Sequence, residues 1–154
     1  MDTATINGKL TISYPDGFHE MSQSELAAEN HYGEVPKLCL SDPKRHIKIS
    51  FSFKKYSALT SALADPKGTV KSMQKRVSKL LSGYNYSLKG YCEQKIGTLT
   101  AYGFDYSYEA RKINMLAKSF IAKDGRTFYY IHCYYRAELE AESLPVINEI
   151  LSGS

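Results

Sequence analysis

The sequence predicts an α+β fold, a twisted antiparallel β-sheet of about six to seven strands with helices packed against it. Three observations lead there. Runs that alternate apolar and polar residues follow one another through short turns, and strands joined that way must pair antiparallel. Asp124-Gly125 separates two apolar, β-prone runs, Lys112 to Lys123 and Arg126 to Arg136. Asp-Gly in that setting is a strong hairpin signal, because a type I′ turn needs positive φ at both centres. Two other segments, near Asp65 and Ser143, carry apolar residues at helical spacing, and helices grouped on such a sheet make a layered α+β fold.

The hairpin's second run places Phe128, Tyr130, His132 and Tyr134 on one face and Tyr129, Ile131, Cys133 and Tyr135 on the other. A strand apolar on both faces is covered on both, so this hairpin belongs near the middle of the sheet.

In chain order, Gly8 to Tyr14 is a first strand with Leu10, Ile12 and Tyr14 on one face, stopped by the turn Pro15-Asp16-Gly17. Phe18 then anchors back to the core. Ser22 and Glu25 form a capping box for a short helix, about Gln23 to Glu29, flanked by Met21 and Leu26 as a hydrophobic staple and ended by Asn30 and Gly33. A loop, His31 to Pro36, leads to a short strand from Lys37 to Leu40. His46 to Phe53 alternates cleanly, with Ile47, Ile49, Phe51 and Phe53 towards the core.

Lys54 to Ala64 is a connector, part helical. Asp65 caps the main helix and Pro66 takes its first position; Val70, Met73, Val77, Leu80 and Leu81 form its apolar stripe, and Gly83 is its left-handed stop. Tyr84 to Lys95 is a strand, Gly97 a turn, and Thr98 to Glu109 a long strand with Thr100, Tyr102, Phe104, Tyr106 and Tyr108 on one face. Ala101 and Gly103 on its other face leave room for a closely packed helix. After the Asp-Gly hairpin, Ser143-Leu144-Pro145 opens a last helix carrying Leu144, Ile147, Ile150 and Leu151 inward.

At 154 residues the chain fits one domain, 1–154, and is long enough to hold a core without disulfides or metal. It has 13 tyrosines and no tryptophan. Cys39, Cys92 and Cys133 are far apart, odd in number and inside strands. They read as apolar thiols suited to a reducing compartment. As the chain stands there is no signal peptide and no transmembrane run. A cytoplasmic location is expected, or an exported or lipid-anchored one if a leader has been removed.

The order of elements resembles the PsbP-like superfamily, which takes in a plant photosystem II extrinsic protein, a yeast Ran-binding release factor and bacterial DcrB-like proteins. The resemblance lies in Tyr14-Pro15-Asp16-Gly17-Phe18, in Gly97 to Phe104 followed by the tyrosine-rich Phe128 to Tyr135, and in the closing Pro145 to Ser152. Phe18 stands where the family often has Trp. It implies an αβα sandwich, no enzyme activity, and a role as adaptor, assembly factor or chaperone that binds other proteins.

The residues themselves offer no catalytic set. His19, His31, His46 and His132 lack partners at metal or triad spacing, and no nucleophile elbow, P-loop or dinucleotide fingerprint is present. Glu138, Glu140 and Glu142 read as a solvated helix approach. No cofactor or metal is expected. Charge is concentrated on the main helix, where Lys67, Lys71, Lys75, Arg76 and Lys79 stand against Asp65 alone; this net of +4 equals that of the whole chain. Such a helix can meet an acidic protein, anionic lipid or nucleic acid, or be the solvated back of a helix lying on a sheet; insertion into a membrane is not expected, since its apolar face lacks Trp and Phe and is needed for the core.

Tyr102, Tyr106, Tyr108, Tyr130 and Tyr134 make an aromatic sheet face, either covered by helices or offered to a partner. Arg111, Arg126 and Arg136 lie close by. The candidate surface is therefore Lys71, Lys75, Arg76, Lys79, Tyr102, Tyr106, Arg126, Tyr130 and Tyr134. The expected function is a non-enzymatic module with a protein partner; the alternative is a small-molecule or enzymatic pocket between sheet and helices, lined by His132 or Cys133. Nucleic acid is a third reading and is not the expected partner, since no RNA-recognition signature is present and a net charge of +4 is modest.

Overall fold

The computed structural model of the chain describes residues 1–28 and 35–153. Strands β1 (Asp2–Ile6) and β2 (Leu10–Tyr14) form a two-stranded sheet of their own. Seven more make the main sheet: β3 (His19–Glu20), β4 (Leu38–Asp42), β5 (Ile47–Lys55), β6 (Ser87–Ile96), β7 (Leu99–Ala110), β8 (Ile113–Asp124) and β9 (Thr127–Arg136). Their order is β3-β4-β5-β9-β8-β7-β6, and every neighbouring pair is antiparallel. Helices α1 (Gln23–Ala28), α2 (Ala58–Leu63), α3 (Pro66–Leu80) and α4 (Glu140–Ser152) complete the described fold.

The expected hairpin is β8–β9, and it is central. Side chains alternate across it as expected and feed two separate cores. On one face, Phe104, Tyr106, Ala117, Ile121 and Phe128 pack under Val70 and Met73 of α3. On the other, Phe120, Tyr129, Ile131 and Cys133 pack with Ile147, Ile150 and Leu151 of α4 and with Leu10 and Ile12 of the small sheet. The result is a sheet with α3 on one face and α4 plus the β1–β2 hairpin on the other.

The first expected strand pairs with β1 rather than joining the main sheet. A turn at Asn7-Gly8 makes that hairpin, with φ of 56° and 65° and Lys9 N–H donating to Ile6 C=O at 3.1 Å, the two positive φ values of a type I′ turn. Asn7 Nδ2 donates to the Tyr129 hydroxyl at 3.3 Å, pinning the hairpin to the main sheet.

The β8–β9 turn differs from expectation by one residue. Asp124 pairs with Thr127, so Gly125 and Arg126 are the turn centres, and of the two only Gly125 has positive φ, at 61°. That is the pattern of a type II′ turn, which places glycine first. The two-positive pattern appears instead at Arg111-Lys112, between β7 and β8, with φ of 51° and 66° on two side-chain-bearing residues.

The capping box of α1 forms both ways: Ser22 N–H donates to Glu25 Oε1 at 2.9 Å and Glu25 N–H to Ser22 Oγ at 3.1 Å. The expected end of this helix at Asn30 and Gly33, and the loop from His31 through Glu34, lie outside the described residues. Asp65 caps α3 through Lys67 N–H at 3.2 Å, with Pro66 in the first turn. Its far end is different from the sequence expectation. Leu80 is exposed while Leu81 is buried, a 3₁₀ turn follows over Ser82–Tyr84, and the left-handed residue is Asn85, not Gly83. Asparagine tolerates that region because its short polar side chain interacts locally. The last helix starts earlier than expected. Pro145 sits inside α4, within its early turns, and Glu140 and Glu142 occupy the first turn, where carboxylates suit the helix dipole. Gly103 does not receive a helix: the Phe120 ring of the neighbouring strand fills the space.

Candidate partner surface

Helix α3 organises the candidate residues. Val70 and Met73 point into the sheet, and Lys71, Lys75, Arg76 and Lys79 are exposed. Among the described residues none of these four forms an ion pair. Lys67, Lys71, Lys75 and Lys79 recur every four residues, so they follow one inclined ridge around the helix. Lys67 and Lys71 reach the flank nearest the sheet edge. Arg76 lies towards the other flank, where its charge acts on His132.

The structure spreads the candidate tyrosines across different depths. Tyr106 is 2% exposed under α3, and its hydroxyl lies 3.0 Å from Ser119 Oγ, so a partner cannot reach it. Burial pushes its phenol up to about 12. Tyr130 is half-buried, with its hydroxyl 2.8 Å from that of Tyr56, and lines a cavity of about 150 Å³ with Thr60, Ala64 and Thr69. Tyr134 is half-buried and stacks on His132 with ring centres 6.3 Å apart. Arg126 is exposed at the β8–β9 turn, where its Nε donates to Tyr56 C=O at 2.8 Å. Lys71, Lys75, Arg76 and Lys79 thus stay on an open helix face, while Arg126 and Tyr130 lie at the α2 end and Tyr106 in the core.

Tyr102 is different. It lies beneath the Lys67 ammonium, 5.6 Å from ring centre to Nζ, a favourable cation–π arrangement. It also lines a groove of about 520 Å³ between the start of α3 and the β6–β7 edge. Lys67, Gly68, Val70 and Lys71 form the helix wall; Tyr91, Glu93 and Tyr102 are among the sheet residues beneath. Tyr91 is 50% exposed, its ring 6.4 Å from that of Phe104. Sequence reasoning left Tyr91 and Lys67 out of the candidate surface. The signal for Tyr91 was the placement of a large aromatic on a strand otherwise rich in polar residues; Lys67 was legible only as one of the basic residues of the helix.

The titratable groups that line this groove are Lys67, Lys71, Tyr91, Cys92, Glu93 and Tyr102, with no histidine among them. His132 sits on the α3 face of β9 with Nδ1 2.7 Å from Ser119 Oγ, which completes a chain from Tyr106 through Ser119. Burial, reinforced by the Arg76 charge, lowers its imidazole to about 4. Cys133 is fully buried on the opposite face, and burial raises its thiol to about 12. Cys92, half-buried, is raised to about 11 by burial first and by Asp105 second. Neither His132 nor Cys133 lines the groove or the smaller cavity. Among the described residues no three His, Cys, Asp or Glu side chains come together as a metal site would require. No helix among them is long and apolar enough to cross a membrane.

No protein-family model matches the chain, and no curated protein matches it in sequence. Its fold does match solved structures. The cyanobacterial PsbP protein CyanoP of Synechocystis sp. PCC 6803 superposes with a TM-score of 0.64 at 11% identity, covering 97% of this chain and 88% of that one. LpqN of Mycobacterium tuberculosis, involved in cell envelope biogenesis, superposes at 0.59 and 12% identity, covering 92% and 78%. PA94 of Pseudomonas aeruginosa, a protein of unknown function, superposes at 0.52 and 12% identity, covering 97% and 92%. The chain therefore has a PsbP-like fold.

Proposed function

We propose that this chain, acting as one domain, is a non-enzymatic module that binds another protein, and that the partner presents an acidic surface to α3. One observation carries the reading. The helix that covers one face of the sheet presents Lys71, Lys75, Arg76 and Lys79 to solvent with no carboxylate partner among the described residues. Unpaired charge of one sign on a rigid element steers an opposite surface and fixes its orientation. Tyr102, at the foot of the same helix, adds an aromatic contact of the kind that anchors interfaces. Arg126, Tyr130 and Tyr134 would serve only a partner that extends past α3 along the sheet.

The test is affinity capture from source-cell lysate with the wild-type chain beside the Lys71→Glu, Lys75→Glu, Lys79→Glu triple variant. All three positions are exposed, so the variant keeps its fold. A protein retained by the wild type and lost by the variant is the expected result. A partner retained equally by both would remove α3 from the interface.

A further inference from the structure

Resting on the protein-binding reading, we infer that the groove beside α3 takes an extended acidic peptide segment of the partner, paired as an eighth strand on β6. Strand β6 is one of the two edge strands of the main sheet and, among the described residues, pairs only with β7. Its ten residues therefore turn a row of backbone N–H and C=O groups outward. Sheet edges usually carry devices that block such pairing. On β6 the bulge between Leu88 and Gly90 blunts one end, and Lys95, tied to Thr100 Oγ1 at 2.7 Å, blunts the other. Between them runs a stretch with regular register, Tyr91 to Gln94.

What lies beside that stretch argues for a ligand. A strand added to an edge gains affinity from backbone pairing, and specificity from pockets for alternate side chains. The α3-facing residues of β6 are those opposite Phe104 and Tyr102, namely Tyr91 and Glu93. Beyond them stands the wall of α3, so alternate side chains of an added strand would enter the groove. Gly68 gives that wall a gap, since a Cβ there would meet nothing within 4 Å. The exposed half of Tyr91 and the Val70 side chain provide an apolar seat. Charge selects the rest of the ligand: among the described residues, Lys67 and Lys71 face the groove against Glu93 alone. An extended segment that alternates acidic and apolar residues on its groove side satisfies all three features.

The probe is a fluorescein-labelled ten-residue peptide with threonine at every second position and glutamate and valine taking turns between. Fluorescence anisotropy with the full chain should show saturable binding that weakens with salt. Replacing the peptide's glutamates by lysine, or introducing Lys67→Glu with Lys71→Glu in the protein, should each weaken it roughly tenfold. N-methylation of one alternate set of peptide amides should abolish binding while the other set is tolerated, because only one set faces the sheet. Equal loss from both sets, equal binding of acidic and basic peptides, or no binding would overturn the inference. So would a dimer, seen by sedimentation at the assay concentration, that the peptide fails to dissociate, since a second copy would then own the edge. If a Lys75→Glu, Lys79→Glu variant, which leaves the groove-facing Lys67 and Lys71 in place, still loses the lysate partner while the peptide fails, the protein-binding reading stands and the groove is removed from it.

Discussion

Gly103 lies against the Phe120 ring of the neighbouring strand: a Cβ at Gly103 would stand 2.5 Å from Cδ1 of Phe120 and closer still to the Ser119 carbonyl oxygen. Gly103 and Phe120 pair directly across β7 and β8, and the ring occupies the space that a side chain on Gly103 would fill. Gly103→Ala should therefore destabilise the fold by about 2–3 kcal/mol, because backbone and a fully buried aromatic must both move. Chemical denaturation measures this. An unchanged midpoint would mean that the β7–β8 register differs from the one described.

The β7–β8 turn carries strain that a substitution can release. Arg111 and Lys112 both hold positive φ and are exposed, a conformation that costs a side-chain-bearing residue about 1 kcal/mol or more. Lys112→Gly should raise stability by roughly 0.5–1 kcal/mol, after the added freedom of the unfolded chain is subtracted. Urea unfolding with an unchanged slope would report it as a shift of the midpoint. A lower midpoint would contradict the assigned turn.

His132 makes stability depend on pH. Its imidazole, lowered from 6.5 to about 4 in the fold, holds fewer protons there than in the unfolded chain between those values. Its contribution is fully present above about pH 6.5, and is lost as pH falls through the window towards 4. His132→Asn keeps a polar atom near Ser119 Oγ and removes the titration. The difference in stability between wild type and variant should change by about 2 kcal/mol from pH 7 to pH 4.5. A constant difference would mean that packing on the α3 face of β9 does not depress the His132 imidazole.

Sequence periodicity read well wherever one physical cause dominated. The alternation of Phe128 to Tyr135 separated the two cores correctly, because side chains of a strand must alternate. The caps at Ser22 and Asp65 were legible because each satisfies free helix N–H groups locally. Strand β1 was missed although Asn7-Gly8 is as strong a turn signal as Asp124-Gly125. Only Ala4 and Ile6 of its five residues are buried, so its periodicity is faint. Turn register was not legible at Gly125, since a one-residue shift keeps the same glycine and changes only its place in the turn. The groove was hidden for another reason. Lys67 and Lys71 come from a helix and Tyr91 and Tyr102 from two strands, and only the packing of α3 on the sheet brings them together.

The depth of the tyrosines shows the same limit. Tyr102 and Tyr106 share one face of β7, yet one lines an open groove and the other is buried with its hydroxyl near Ser119. No period in the sequence separates them. The position of α3 along the strand does.

The most direct measurement is amide hydrogen exchange of the chain with and without the protein it captures, read peptide by peptide. Binding at the groove should slow exchange along Pro66–Leu80 and along Ser87–Ile96, the helix and the free strand edge that face each other across it. Protection confined to β3, β4 and the β1–β2 hairpin, with α3 and β6 exchanging as in the free chain, would contradict that placement.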